Sequence, residues 1–106
     1  MSDTALALLY DHGTRAEGEG RVWKFDPLHQ TRSPQPYYTA QGRAFWRRVI
    51  CPVLYIEGDD SWVRLPDLDE RLDILRAERV TIRGSAHHPH LEQPDALADV
   101  LIDFLK

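Results

Sequence analysis

The chain of 106 residues reads as an α/β protein with parallel strands. Three observations carry that class. Residues 49–56 are apolar on successive positions, the pattern of a strand buried on both faces in a helix-covered parallel sheet. A second β-branched run, Val80-Thr81-Ile82, lies further on. Segments of helical spacing follow each run, so the order is strand, helix, strand, helix, a unit that closes as a right-handed crossover.

Taken in order, Asp3 or Thr4 is placed to cap a helix of roughly two turns through Ala5, Leu6, Leu8, Leu9 and Tyr10. Gly13 is placed to end it as a left-handed cap residue. Its leucines offer area and nothing else, so they read as core contacts. Gly18-Glu19-Gly20 breaks the chain, and residues 21–25 alternate as a short extended segment with an inward aromatic face. Asp26, before Pro27, reads as a turn residue or helix cap. Residues 27–36 lack periodicity and form a surface connector. A helix follows over residues 39–48, with Ala40, Ala44 and Phe45 on one side and Arg43 and Arg47 on the other; Gly42 weakens it. The aromatic residues Tyr37, Tyr38, Phe45 and Trp46 anchor that helix or line a pocket, the anchor being preferred.

In the second half, Pro52 is placed at the first residue of the apolar strand, where a missing amide donor is tolerated. Glu57-Gly58-Asp59-Asp60-Ser61-Trp62 is the turn at the strand's carboxyl end. Residues 66–77 form a helix through Leu68, Leu72 and Leu75, with Asp67, Asp69 and Glu70 in its first turn, where the helix dipole favours them. After the second strand comes a loop dense in His and Pro, and Pro94 opens an amphipathic helix through Ala96, Leu97, Val100, Leu101, Phe104 and Leu105. His87 thus follows a strand's carboxyl end, the usual place of ligand and catalytic groups in open α/β sheets. The whole is one partial domain, with helices and connector over 1–48 and the strand-helix-strand-helix unit over 49–106.

Composition narrows the function. With 42% hydrophobic and 28% charged residues and a net charge of -4, the chain is of ordinary globular type, without the basic stripe that nucleic acid requires. The cluster Arg43, Arg47 and Arg48 reads as a solvated helix face. No apolar run reaches the ~18 residues of a membrane span, and the start lacks the basic flank of a signal peptide. Cys51 is the single cysteine, which points to a reducing cytoplasm.

The run G-S-A-H-H-P-H-L-E-Q-P at residues 84–94 resembles the histidine loop of the α/β-hydrolase superfamily, and I-C-P-V-L-Y-I-E-G-D-D-S at 50–61 resembles its penultimate strand and acid loop. W-K-F-D-P-L-H, T-R-S-P and F-W-R-R resemble the lid-to-core stretch of one bacterial subgroup. The resemblance covers nearly the whole chain and falls in the carboxyl-terminal part of the family fold. It implies a partial α/β-hydrolase fold made of the last two parallel strands with flanking helices, and it implies His87 as the base.

The rest of a triad is harder to place. No G-x-S-x-G elbow occurs, so by family order the nucleophile falls on a stretch before Met1. Ser2, Ser33, Ser61 and Ser85 each have plainer readings; Ser61, for one, follows two carboxylates that disfavour an alkoxide. The family's usual acid position, three residues after the glycine, is Ser61. Asp60 is preferred as the acid, with Asp59 next, and the missing part of the fold is a further source. Trp62 and His88 are placed at the substrate pocket. His87, His88 and His90 have ligand types for zinc, but adjacent ligands in a Pro-containing turn converge poorly, so neither metal nor cofactor is expected. His12 and His29 carry no functional claim.

The expected function is therefore the carboxyl-terminal part of a serine hydrolase acting on a small ester or other acyl substrate, inactive alone. Two parallel strands leave an apolar edge open. The alternative is a noncatalytic interaction module, or a truncated relic, that self-associates through that edge.

Overall fold

A computed structural model describes residues 2–31 and 33–106; Arg32, within the T-R-S-P stretch, lies outside the described residues. The chain divides into two compact units, Met1–Pro36 and Tyr37–Lys106. The division falls within the connector side of the sequence, so the helix following it belongs to the second unit.

In the first unit, α1 (Asp3–Gly13) is capped by Ser2, whose side chain accepts the N–H of Ala5. Asp3 falls in the first turn. The helix runs straight into β1 (Thr14–Glu17), which pairs antiparallel with β2 (Gly20–Trp23), Thr14 opposite Trp23 and Glu17 opposite Gly20. Gly18, at φ 59°, takes the first central position of the two-residue turn, where hairpins favour glycine. Gly13 is not left-handed; the C-cap is Thr14 in extended conformation. What Gly13 provides is room, because a Cβ there would stand 3.2 Å from the Trp23 ring. Trp23 and Phe25 stack at 5.9 Å with both rings exposed, so the aromatic face is not turned inward. Asp26 caps the 3-10 turn Pro27–Gln30 by accepting the N–H of Leu28 at 2.9 Å.

The second unit begins with α2 (Thr39–Trp46). Its packed face is the reverse of the one expected. Ala40, Ala44 and Phe45 are exposed, whereas Arg43 pairs with Glu70 and Trp46 lies under Arg71, whose guanidinium is 4.9 Å from the ring centre. Both partners belong to α3 (Leu68–Leu75). The Tyr37 hydroxyl lies over Gly42, where a Cβ would displace that exposed ring.

The sheet consists of β3 (Leu54–Gly58) and β4 (Glu78–Ile82), parallel, with Leu54 opposite Glu78 and Gly58 opposite Ile82. β3 starts later than expected. Val49, Ile50, Cys51 and Pro52 precede it and are exposed, Ile50 to 99%. The sheet is also two-faced rather than buried on both sides. Alternation puts Leu54, Ile56, Val80 and Ile82 on one face and Tyr55, Glu57, Arg79 and Thr81 on the other. Glu57 and Arg79 pair across the strands at 2.6 Å. Below the apolar face, α5 (Pro94–Phe104) packs on β4, and Val100 and Phe104 share a groove with Leu54 and Val80. A short helix, α4 (Pro89–Glu92), precedes α5 and was not expected. Among the described residues only Ala5 and Ile82 are fully buried apolar side chains, and β3 has one paired edge. No helix among them is long and apolar enough to cross a membrane.

Candidate functional site

Both loops of interest leave the carboxyl ends of the parallel strands, and a glycine lets them meet. Gly58 ends β3, and a Cβ on it would overlap the backbone of Ser85 and Ala86. Without a side chain at that point the loop after β4 lies directly on the loop after β3. Backbone bonds then join them, from Asp59 N–H to the Ile82 carbonyl at 3.1 Å and from Asp60 N–H to the Ser85 carbonyl at 3.0 Å.

The Asp59 carboxylate reinforces the join. It accepts the N–H groups of Gly84 at 2.9 Å and Ser85 at 3.3 Å, across a turn in which Gly84 takes φ 68°. On the far side Glu92, in α4, accepts the Ala86 N–H at 2.8 Å. That bond is the main reason its carboxyl is held below the usual carboxylate range. Arg64 donates to the carbonyls of Ser61 and Val63, which braces the first loop from its outer end.

The group that reaches the His87 ring is Ser61. Its Oγ stands 3.4 Å from His87 Nδ1 and also accepts the Val63 N–H at 3.3 Å. Ser61 is only 5% exposed, while His87 lies at the surface. The two expected carboxylates are placed differently. Asp59 is committed to the backbone of the next loop, and Asp60 is exposed, contributing its N–H but no carboxylate bond among the described residues. Trp62 and His88 both flank His87, with ring centres 5.2 Å and 5.1 Å away. Trp62 is 76% exposed.

A cleft of about 260 Å³ opens beside the pair, walled by Tyr55, Gly58, Ser61, Leu65, Ala86 and His87. The walls are mostly apolar, with the His87 imidazole, the Ser61 and Tyr55 hydroxyls and Glu57 as the polar groups, a lining that suits a small acyl group. Among the described residues no group of three or more His, Cys, Asp or Glu side chains is arranged to hold a metal ion.

Sequence reasoning placed His87, Trp62 and His88 around this loop and missed Ser61 as the imidazole's partner. The available signal was its position, three residues after Gly58. Glu92 as the anchor of Ala86 had no sequence signal, since it depends on the turn of α4.

No protein-family profile matches the chain, and no curated protein matches it in sequence. Among solved structures it is similar to a thioesterase domain from the curacin biosynthetic pathway, with a TM-score of 0.70 and 22% identity. The match covers 94% of this chain and 42% of the thioesterase domain, so the chain spans less than half of that domain's length. At that identity the likeness concerns the fold, which is α/β: two parallel strands with flanking helices, corresponding to a part of the α/β-hydrolase fold.

Proposed function

We propose that this chain forms the base-bearing part of an acyl hydrolase of the thioesterase or esterase kind, with His87 as its general base. The observation that supports the reading is the position of His87, at the carboxyl end of β4 and on the wall of an apolar cleft at the end of two parallel strands. In that role His87 takes the proton of a serine hydroxyl as it attacks an acyl carbonyl. It then returns the proton to the departing thiol or alcohol. Trp62 and His88, beside the ring, border the incoming acyl group. The nucleophile comes from outside residues 1–106, because these contain no G-x-S-x-G turn.

The test joins the chain in frame to the coding sequence that precedes it. The longer product is expected to react with a fluorophosphonate at a serine outside residues 1–106 and to lose that reaction in His87→Ala. The 106-residue chain alone is expected to stay unlabelled. Labelling of the short chain at Ser61, or labelling of the longer product that ignores His87, overturns the proposal. So does a translation start with no serine elbow encoded ahead of it.

A second reading is favoured by the single paired edge of β3: a noncatalytic module that adds a strand from a second copy at that edge. It predicts a dimer in sedimentation or light scattering, and a monodisperse monomer counts against it.

A further inference from the structure

We propose that Ser61 is the positioning residue of His87: its hydroxyl occupies the place of a triad carboxylate and holds the imidazole by Nδ1 without supplying a charge. The proposal rests on the reading of His87 as a base and deepens it.

The geometry carries it. Ser61 is nearly buried at the head of the loop after β3, its Oγ 3.4 Å from Nδ1. The same oxygen accepts the Val63 N–H at 3.3 Å, which fixes where it sits. A hydroxyl has one hydrogen and two lone pairs. With one lone pair taken by Val63, Ser61 can still accept from a protonated Nδ1 or donate to a bare one.

A carboxylate differs in both respects. Being only an acceptor when ionised, it holds the hydrogen on Nδ1, leaves Nε2 bare as the base and offsets the charge of the imidazolium. A serine restrains the ring but selects neither tautomer, and it offsets no charge. His87 is thus placed as a base and left under-activated.

The other titratable groups around the ring do not take over. Asp59 is bonded to Gly84 and Ser85, Glu57 to Arg79, and Glu92 to Ala86. Asp60 makes no carboxylate bond among the described residues and is exposed. Arg64 is engaged with the carbonyls of Ser61 and Val63, and the other groups nearby are Tyr55 in the cleft and the imidazoles of His88 and His90, the latter stacked edge-on against His88.

Nitrogen NMR of the His87 ring tests this on the 106-residue chain and its Ser61→Ala, Ser61→Thr and Ser61→Asp variants. Ser61→Asp is expected to move the titration midpoint of His87 upward by roughly one pH unit and to populate the Nδ1–H tautomer, as a carboxylate at contact distance does. Ser61→Thr, which keeps the hydroxyl, is expected to match the unaltered chain in both readouts. Ser61→Ala is expected to lose the hydrogen-bond signature at Nδ1.

Unchanged His87 signals in both Ser61→Ala and Ser61→Asp overturn the proposal, as does a Thr variant that behaves like Ala. Should Ser61→Ala fail to fold, the Thr and Asp variants decide. No turnover is read, so a longer product that stays unlabelled or ignores His87 sinks the hydrolase reading alone, whereas labelling at Ser61 sinks both. Immobile His87 signals sink this proposal alone.

Discussion

Gly58→Ala is the substitution that probes the site most directly. Gly58 is buried and paired with Ile82 at the end of β3. The added methyl would stand 2.6 Å from the Ser85 carbonyl carbon and nearer still to the oxygens of Ser85 and Ala86. These are backbone atoms, which cannot swing aside as a side chain would, so the loop after β4 has to retreat. The retreat stretches the bond from Asp60 N–H to Ser85, 3.0 Å, and weakens the grip of Asp59 on Gly84 and Ser85. Overpacking costs about 1–3 kcal/mol, and each weakened hydrogen bond adds about 1 kcal/mol. Against this, replacing glycine gains back about 0.4–1 kcal/mol of chain entropy. The net loss is about 3–6 kcal/mol, which lowers the melting temperature by roughly 12–24 °C in a domain of this size. Calorimetry supplies the first readout and His87 ring NMR the second, since the Ser61 contact should be lost as well. A Gly58→Ala chain that melts within about 2 °C of the parent with the His87 signals unmoved refutes the account of how the two loops meet.

Two more outcomes follow from the same loops. Asp59→Asn keeps an acceptor but removes the charge from two backbone bonds, so it should cost about 1–2 kcal/mol in urea unfolding while leaving the Ser61 to His87 contact visible by NMR; a large change in His87 with no change in stability would instead make Asp59 the imidazole's partner. The folded-state carboxyl of Glu92 is depressed, first of all by the Ala86 N–H. The stability it contributes is therefore present above its unfolded value of about 4.3 and lost as pH falls through the lower folded value. Between pH 5 and pH 3 the protection of the Ala86 amide, taken relative to its intrinsic exchange rate at each pH, should fall, and Glu92→Gln should remove that acid dependence; a protection factor for Ala86 equal at both pH values would refute it.

The elements legible in the sequence were those that a single period describes. β4, α3 and α5 each turn one partly covered stripe toward the rest of their unit, although Leu101 and Leu105 of the expected α5 stripe are exposed. The G-x-x-H turn is local, so much of residues 66–106 could be read as it folds. Harder cases arose where a contact outside the period decided the outcome. Residues 14–17 carry no apolar alternation, and they form a strand only because Gly18 reverses the chain and Arg21 comes back to Thr14, its Nε 2.7 Å from the hydroxyl. In α2 the hydrophobic pattern pointed to Ala44 and Phe45, yet an ion pair with Glu70 and the stacking of Arg71 on Trp46 pulled the opposite face inward. The apolar run 49–56 overstated β3 because its first part is linker. Two carboxylates next to Ser61 drew attention away from it, and only the backbone bonds of the two loops show that Asp59 points elsewhere.

The open edge of β3 and the cleft at His87 are one surface, and this bears on how the chain works. Tyr55, Ile56, Glu57 and Gly58, the strand itself, line the cleft together with Ser61 and His87. A backbone added along that edge would satisfy the unpaired N–H and C=O groups of β3 and, by the same act, wall in the imidazole. Excluding water there strengthens every polar interaction at His87, including the weak 3.4 Å contact with Ser61. On the proposed reading of His87 as a base, strand addition at this edge and the surroundings of the imidazole share the residues Tyr55 to Gly58. If Ser61 positions His87 as proposed, burial by an added strand is expected to strengthen their 3.4 Å contact, which His87 ring NMR on a strand-complemented chain would read.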